Sequence, residues 1–328
     1  MIQVSGGIVY NQEGRILICQ RGEGRRNGLL WEFPGGKNEP GESPAECVRR
    51  ELMEELQLPV TDVQLVESRE YNGLLFHFLT ARTDAQPVML EHHDMKFVTP
   101  RELLQVDFCP ADLPTGRRFA LAPVRHVFWD FDGTLLDSYP AMTRAFVAAA
   151  AEHGVTVAPG RVLDLMKDCL SRCCEVIGAE NALSPQTLHD DFRRHEQGEL
   201  QRGLPPMPGI PGALAAMQQS GVRHYVATHR CGVESLLEAS GLGGRFSGFV
   251  TGDDRLPRKP APDMLLHLMR RHGLHPAECM MVGDRPLDTE AGLAAGILSV
   301  LIDPEDRFPG APCDLRLHSA EELAALMS

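Results

Sequence analysis

Residues 127–138, Val-Phe-Trp-Asp-Phe-Asp-Gly-Thr-Leu-Leu-Asp-Ser, set the strongest constraint on the fold. An apolar run stops at Asp130, a second carboxylate follows at Asp132, and Gly133-Thr134 breaks the pattern before a helical stretch. A run of this kind belongs to a strand buried on both faces, so the sequence predicts a strand that delivers two acids to a turn. A carboxylate at a strand's C-terminal end can attack phosphorus, and one two residues on can give and take a proton. Downstream, strands are expected over 222–228, 249–251, 279–282 and 298–302, with helices over 233–240 and 262–272. This alternation predicts a doubly wound parallel α/β sheet, whose sites lie at strand C-termini. Asp130, Thr228 and Asp284 each end an apolar run, and Lys259 opens a helix from Lys-Pro-Ala-Pro. A single strand-terminal Asp is more often a helix cap or a turn former, so the weight rests on the set.

In the order Asp-x-Asp, Thr, Lys, Gly-Asp-x-x-x-Asp, these residues resemble motifs I to IV of the haloacid dehalogenase (HAD) superfamily of phosphohydrolases. The resemblance implies that Asp130 attacks phosphorus to form an aspartyl-phosphate, and that Asp132 protonates the leaving oxygen and then activates water. It implies that Thr228 and Lys259 hold the phosphoryl oxygens. Asp130, the Asp132 backbone carbonyl and Asp284 would bind Mg²⁺, and Asp288 would support the metal or Lys259. His229-Arg230 follow Thr228 where Asn or Ser is common, and Arg230 is a candidate reader of a second anionic group. Helices expected over 141–153, 160–177 and 185–197 lie in a segment, about 141–205, that resembles the α-helical cap of phosphoglycolate-phosphatase-like members. Such a lid excludes water and selects small phosphorylated substrates. Arg172 and Arg193 are candidate substrate contacts or ordinary solvated charges.

The chain before this motif reads differently. Two strands, 4–10 and 15–20, flank a turn at Asn11-Gln12-Glu13-Gly14, and Trp31-Glu32-Phe33-Pro34-Gly35-Gly36-Lys37 leads to a helix. Ser43 is a good N-cap, Pro44 suits the first helical position, and Glu46 completes a capping box. Ala45, Val48, Leu52 and Leu56 give an apolar face, while Glu51, Glu54 and Glu55 cluster beside it. Like charges one turn apart disfavour a bare helix by about 0.2–0.5 kcal/mol, and a divalent cation would turn that repulsion into affinity. On the helix alone, a solvated acidic face explains the cluster better.

The wider spacing resembles the Nudix box: Gly36, five residues, Glu42, seven residues, then Arg50-Glu51-Leu52-Met53-Glu54-Glu55-Leu56-Gln57-Leu58. The resemblance implies a mixed sheet between helices, an α/β/α sandwich, and hydrolysis of a nucleoside diphosphate linked to another moiety. Glu51, Glu54 and Glu55 would hold Mg²⁺ or Mn²⁺ and help activate water, with Glu42 and the Gly35 carbonyl as further ligand candidates; Arg50 would orient the glutamates. Gln57 departs from the family's glycine, which suits a helix end because positive φ costs it nothing. Trp-Glu-Phe-Pro-Gly-Gly-Lys and Phe108-Cys109-Pro110-Ala111-Asp112-Leu113-Pro114 resemble the MutT branch, which cleaves nucleoside triphosphates to monophosphate and pyrophosphate. In that branch the residue corresponding to Asp112 faces the base; a helix cap explains it equally well. Asp94 is a candidate auxiliary ligand or base, and Arg21 a candidate phosphate contact or an ordinary surface arginine.

The expected organisation is a Nudix domain over 1–115, a linker over 116–123, and a HAD-like domain over 124–328. The 328 residues are enough for two cores at roughly 150 residues per domain. The net charge of −13 excludes a nonspecific nucleic-acid binder. No apolar run approaches bilayer length and the N-terminus lacks a signal core, so no membrane partner is expected and a cytoplasmic location is the default. The nine scattered cysteines suggest neither zinc nor disulfides. Partners are therefore small phosphorylated molecules, nucleotides first, and no oligomeric state is read from the sequence. The combined expectation is a bifunctional Mg²⁺-dependent hydrolase acting on nucleoside triphosphates, oxidised ones included, and on a small phosphate ester. Two alternatives stand beside it: unrelated substrates, such as a damaged nucleotide and phosphoglycolate, or a non-catalytic Nudix half that senses nucleotide.

Overall fold

The structure, a computed structural model, describes residues 1–328, all but the side chain of Asp168. The chain divides into two compact units, Met1–Pro123 and Val124–Ser328.

In the first unit, β1 (Ile2–Tyr10), β2 (Ile16–Gln20), β3 (Trp31–Glu32), β4 (Gly35–Lys37), β5 (Thr61–Tyr71), β6 (Leu74–Arg82) and β7 (Asp94–Val98) form one mixed sheet. Its main path runs β3-β2-β1-β6-β5, with β4 paired to β1 and β7 to β2. Alternation along β1 and β2 divides the core. Ile8, Ile16 and Ile18 pack with Phe33, Phe78 and Phe108 on one face, and Val9, Leu17 and Cys19 with Val48, Leu52 and Leu56 on the other. Those last three residues are the apolar stripe of α1 (Pro44–Leu56), which Ser43 and Glu46 start with both halves of a capping box. The opposite face carries α2 (Leu113–Leu121).

Residues 116–123, expected as a linker, lie mostly within α2, where Ala120 and Leu121 are buried. Pro114 occupies the first turn of that helix, where its missing N–H breaks no bond. Gln57 at the end of α1 has φ 48° and ψ 36°, so it adopts the left-handed conformation that the family's glycine would take without strain. Gln57→Gly is therefore expected to stabilise the first unit by about 0.5–1 kcal/mol, read as a higher denaturant midpoint. A lower midpoint would show that glutamine contacts outweigh the backbone strain.

The second unit is built on a parallel sheet of order β10-β9-β8-β11-β12-β13. Its strands are β8 (His126–Trp129), β9 (Arg223–Ala227), β10 (Phe246–Val250), β11 (Cys279–Gly283), β12 (Leu298–Ile302) and β13 (Leu315–Leu317). Helices α7 (Ile210–Gln219), α8 (Val233–Ala239), α9 (Asp263–His272), α10 (Pro286–Ala294) and α11 (Ala320–Met327) follow in alternation. β8 lies between β9 and β11 with every residue but His126 fully buried, as its unbroken apolar run requires.

Between β8 and β9 the chain makes α3 (Tyr139–Glu152), α4 (Pro159–Asp168), α5 (Leu170–Glu180) and α6 (Pro185–Leu200), a layer with its own core around Phe146, Cys173, Cys174 and Phe192. The single helix expected over 160–177 is two helices. Cys169 is extended (φ −167°, ψ 154°) and its Sγ accepts the Arg172 amide to start the second. The stem of this insertion is tied where it leaves and rejoins the sheet layer. Asp137 N–H donates to the Pro205 carbonyl and Met207 N–H to the Leu135 carbonyl, each at 2.9 Å. Among the described residues no helix is long and apolar enough to cross a membrane.

Candidate functional site

In the second unit, three adjacent strands aim polar residues at one place. Asp130 follows β8, Thr228 follows β9 and Asp284 follows β11, so residues far apart in sequence become neighbours across the sheet spacing. Lys259 enters from the segment before α9 with its side chain fully buried. Its Nζ donates to Asp130 Oδ1 at 2.6 Å, to the Ala227 carbonyl at 2.9 Å, and to Asp288 Oδ1. Asp288, on α10, also accepts the Arg285 amide and so supports the lysine. Burial alone would raise the Asp130 carboxyl, but the Lys259 and Arg285 cations prevail and hold it below the ordinary aspartate range. Burial pushes Asp284 up to about 7, with Asp130 and Asp288 adding to the effect.

Asp284 accepts from Thr134 Oγ1 at 2.9 Å and from the Tyr139 hydroxyl at 3.2 Å. Gly133, at φ 78°, leaves room for both: a Cβ there would come within 2.2 Å of the Tyr139 ring and 2.6 Å of Asp284 Oδ2. Carboxylate oxygens of Asp130, Asp284 and Asp288 all lie within 4.8 Å of one another. An all-oxygen donor set, crowded enough to resist ionising at Asp284, fits a hard divalent cation.

Asp132 has a different partner. Arg230 Nε stands 2.9 and 3.0 Å from its two oxygens, and Arg230 Nη1 stands 3.0 Å from Glu196 Oε1 on α6. The Arg230 and Glu196 side chains are only 6% and 5% exposed. Arg230, expected to read a second anion, is thus occupied by two carboxylates. These groups line a cavity of about 340 Å³ with Thr228, His229, Arg193 and Arg258. His229 Nε2 accepts the Lys259 amide at 2.9 Å, which fixes the remaining ring proton on Nδ1. A larger cavity, about 800 Å³, reaches Asp284 on the far side of Tyr139 but touches neither Thr228 nor Lys259. Arg172 is exposed, while Arg193 pairs with Glu196 at 3.0 Å. Sequence reasoning missed Tyr139, Glu196 and Arg285. Only Arg285, next to Asp284, carried a local signal.

In the first unit Arg50 is the hub. It contacts Glu42 through Nε (2.8 Å) and Nη2 (3.0 Å), Glu51 (3.0 Å), Glu54 (3.1 Å) and the Lys37 carbonyl (3.1 Å). This pairing brings Glu42 down to about 2. Glu51 lies against Gly36, where a Cβ would sit 2.3 Å from its Oε1 and would have to displace the carboxylate. Gly35 is the register partner of Gly6 on β1, beside this contact. Burial, then Glu51 and Glu32, push Glu55 up to about 8, and its Oε2 is buried with no hydrogen-bond partner. That orphaned oxygen beside Glu51 suits a metal ligand.

Asp112 is not a cap by its side chain: Oδ1 accepts the Phe33 amide at 3.1 Å, and burial brings the group up to about 7. Arg21 Nε donates to the Arg26 carbonyl at 2.9 Å and Nη1 pairs with Glu32. Asp94 is exposed at the start of β7.

Comparison with known proteins matches both units. The family model for haloacid dehalogenase-like hydrolase covers residues 124–296, and that for the NUDIX domain covers residues 3–119. A CTP pyrophosphohydrolase of Escherichia coli is 37% identical over 124 residues, spanning 36% of this chain and 91% of that protein. A phosphoglycolate phosphatase of Yersinia pseudotuberculosis is 30% identical over 184 residues, spanning 53% of this chain and 78% of that protein. A crystal structure of a predicted phosphoglycolate phosphatase from Haemophilus somnus superposes with a TM-score of 0.56 at 19% identity, covering 63% of this chain and 99% of that one, a likeness of fold. The chain belongs to the Nudix hydrolases through its first unit and to the haloacid dehalogenase-like hydrolases through its second, a hydrolase of phosphoric anhydrides and phosphate esters.

Proposed function

We propose that the first unit cleaves a nucleoside triphosphate to monophosphate and pyrophosphate, and that the second removes phosphate from a small phosphate ester, the monophosphate product first among them. The observation that carries the phosphatase half is Asp130 at the end of β8, ionised by Lys259 at 2.6 Å, with Asp132 held separately by Arg230. Asp130 Oδ attacks phosphorus and the P–O bond to the leaving group breaks. Asp132 gives its proton to the departing oxygen, then takes one from the water that attacks the aspartyl-phosphate, and phosphate leaves with Asp130 restored. Thr228 and Lys259 hold the phosphoryl oxygens. Asp130, Asp284 and the Asp132 carbonyl would hold Mg²⁺, which supplies charge neutralisation at phosphorus.

For the anhydride half, Glu51, Glu54, Glu55 and the Gly35 carbonyl would hold Mg²⁺ or Mn²⁺, Glu54 with them would activate water, and Arg50 would keep the glutamates in place. Arg21 would meet the phosphates. Asp112, near neutrality, would accept from an exocyclic amine or donate to a ring acceptor of the base. The activity named for the Escherichia coli relative, CTP pyrophosphohydrolase, supports a nucleoside triphosphate and favours a pyrimidine over an oxidised purine.

A Mg²⁺-dependent screen of nucleoside triphosphates, 8-oxo-dGTP included, on the intact chain and on Asp130→Asn tests this reading. The wild type should yield nucleoside and extra phosphate, and the variant should stop at monophosphate plus pyrophosphate. Identical products from both would end the consecutive-step reading. Arg230→Lys keeps a charge but loses the fork on Asp132. We expect phosphatase kcat to fall about 10–100-fold with KM changed far less; a rise in KM alone would make Arg230 a substrate contact instead.

A further inference from the structure

One arginine joins Asp132 to the four-helix insertion. Arg230 lies two residues beyond Thr228, and its amide donates to Thr228 Oγ1 at 3.2 Å. Its Nε stands 2.9 and 3.0 Å from the two oxygens of Asp132, and its Nη1 stands 3.0 Å from Glu196 Oε1 on α6. Arg193, one turn earlier on that helix, takes Glu196 Oε2 at 3.0 Å. The Phe131 ring centre is 5.9 Å from the Arg230 guanidinium carbon. The Arg230 and Glu196 side chains are 6% and 5% exposed, whereas that of Asp132 is 18% exposed where it lines the smaller cavity.

The two ends of this bridge differ. Asp132 accepts hydrogen bonds, whereas Glu196 Oε1 makes no aligned one, so its contact with Arg230 is one of charge. Asp132 is also served by a single nitrogen. A guanidinium left alone with a carboxylate settles side by side with it and gives two parallel N–H···O bonds. Each Asp132 oxygen would then have its own charged donor, and neither would be free for a leaving group or a water. Glu196 draws Nη1 the other way, and Arg230 meets Asp132 through Nε alone.

We propose that Glu196 is a positioning residue of the phosphatase: it keeps Arg230 from pairing side by side with Asp132, and so leaves Asp132 able to pass a proton to the leaving oxygen. The inference rests on the reading of the second unit as a phosphatase with Asp132 as its acid and base. Glu196 belongs to the insertion, whereas Asp132 and Arg230 follow strands of the sheet. The working geometry therefore exists only while the insertion is seated, which ties proton transfer to a covered site.

Kinetics of the full chain with Mg²⁺ on two esters test this role. The leaving group of p-nitrophenyl phosphate departs without a proton, and that of glycerol 3-phosphate does not. Since kcat/KM reports the steps up to release of the alcohol, Glu196→Gln should lower it about tenfold for glycerol 3-phosphate and barely change it for p-nitrophenyl phosphate. Both esters are measured on one sample, so a partly unfolded variant leaves the ratio intact. Glu196→Asp retains the buried charge but retracts it, and should move the ratio the same way. In an Arg230→Lys background Glu196→Gln should cost nothing further, because it acts through that arginine. Equal losses on both esters, a rise in KM alone, or additive losses in the double variant would overturn the proposal. An active wild type whose ratio is unchanged in both Glu196 variants removes this role and keeps the phosphatase; a wild type that hydrolyses neither ester removes both.

Discussion

Replacing Lys259 by methionine is expected to destabilise the second unit by about 3–5 kcal/mol and to reduce phosphatase activity about 10³-fold or more. Lys259 is fully buried, and its Nζ answers Asp130 and Asp288, whose side chains are 2% and 0% exposed. Methionine fills a similar volume but leaves two buried carboxylates facing each other, with Arg285 at 3.5 Å from Asp130 as the remaining cation. The loss should appear as a thermal midpoint lower by about 10 °C for this unit. Excess Mg²⁺ should restore part of the stability, since it supplies charge, but little of the activity, since the phosphoryl contact is gone. Triphosphate cleavage by the first unit should be unchanged. A variant as stable as wild type would mean that desolvation had already cancelled the ion pair, and Lys259 would then be explained by chemistry alone.

The second large effect is a pH dependence that a divalent cation reverses. Asp284 and Asp112 are pushed up to about 7 and Glu55 to about 8, each chiefly by burial. In the unfolded chain such groups titrate near 4, so between about pH 4 and pH 8 the folded protein binds protons that the unfolded chain does not. These three groups therefore lower the stability of the metal-free protein as pH rises through that window. His224 and His229, brought down to about 4 chiefly by burial, act in the opposite sense up to the ordinary histidine range near about 6.5, so the net fall is expected above about pH 6.5. Asp130 does not oppose the trend: its lowered carboxyl contributes fully above the unfolded value and changes little thereafter. Each pH unit between the unfolded and the folded titration is worth about 1.4 kcal/mol, so the loss between about pH 5 and pH 8 is on the order of 2 kcal/mol per group. A cation needs the ionised carboxylates, so its stabilisation should be larger at about pH 8 than at about pH 6. Thermal unfolding in chelator and in excess Mg²⁺ at both pH values should show the order of stabilities cross. If the cation adds nothing at the higher pH, Asp284 and Glu55 are not its ligands.

What could be read in advance follows the range of the interaction. Ser43 and Glu46 act within one turn, so the start of α1 was visible as a spacing. Asp130, Thr228 and Asp284 were visible because a parallel sheet turns the end of each apolar run into a fixed position on one edge. The Arg230 bridge was not. Asp132 precedes the insertion and Glu196 lies on its last helix, whose packing no local pattern encodes, and a pair of buried opposite charges leaves no periodicity. The break at Cys169 was hidden because Val162, Met166, Cys173 and Ile177 keep one apolar face going across it. The helix over 113–121 was hidden by Pro114 and Gly116, which read as loop residues although the first falls in a tolerated first turn.

The tied stem below the four-helix insertion bears on how this enzyme's selectivity can change. Leu136 and Pro206 form an antiparallel bridge, flanked by the two amide bonds of Asp137 and Met207. The ends of the excursion are therefore joined irrespective of what lies between them, and the closure entropy of a longer or shorter excursion grows only slowly with length. Everything from about residue 138 to 204 is, topologically, a cassette plugged into a closed socket just beyond Asp132. Cassettes from other phosphatases spliced at Asp137 and Pro205 should inherit the nucleophile and its lysine unaltered and the acid trio without the Tyr139 bond to Asp284, while bringing their own substrate walls and leaving Arg230 to find a new carboxylate.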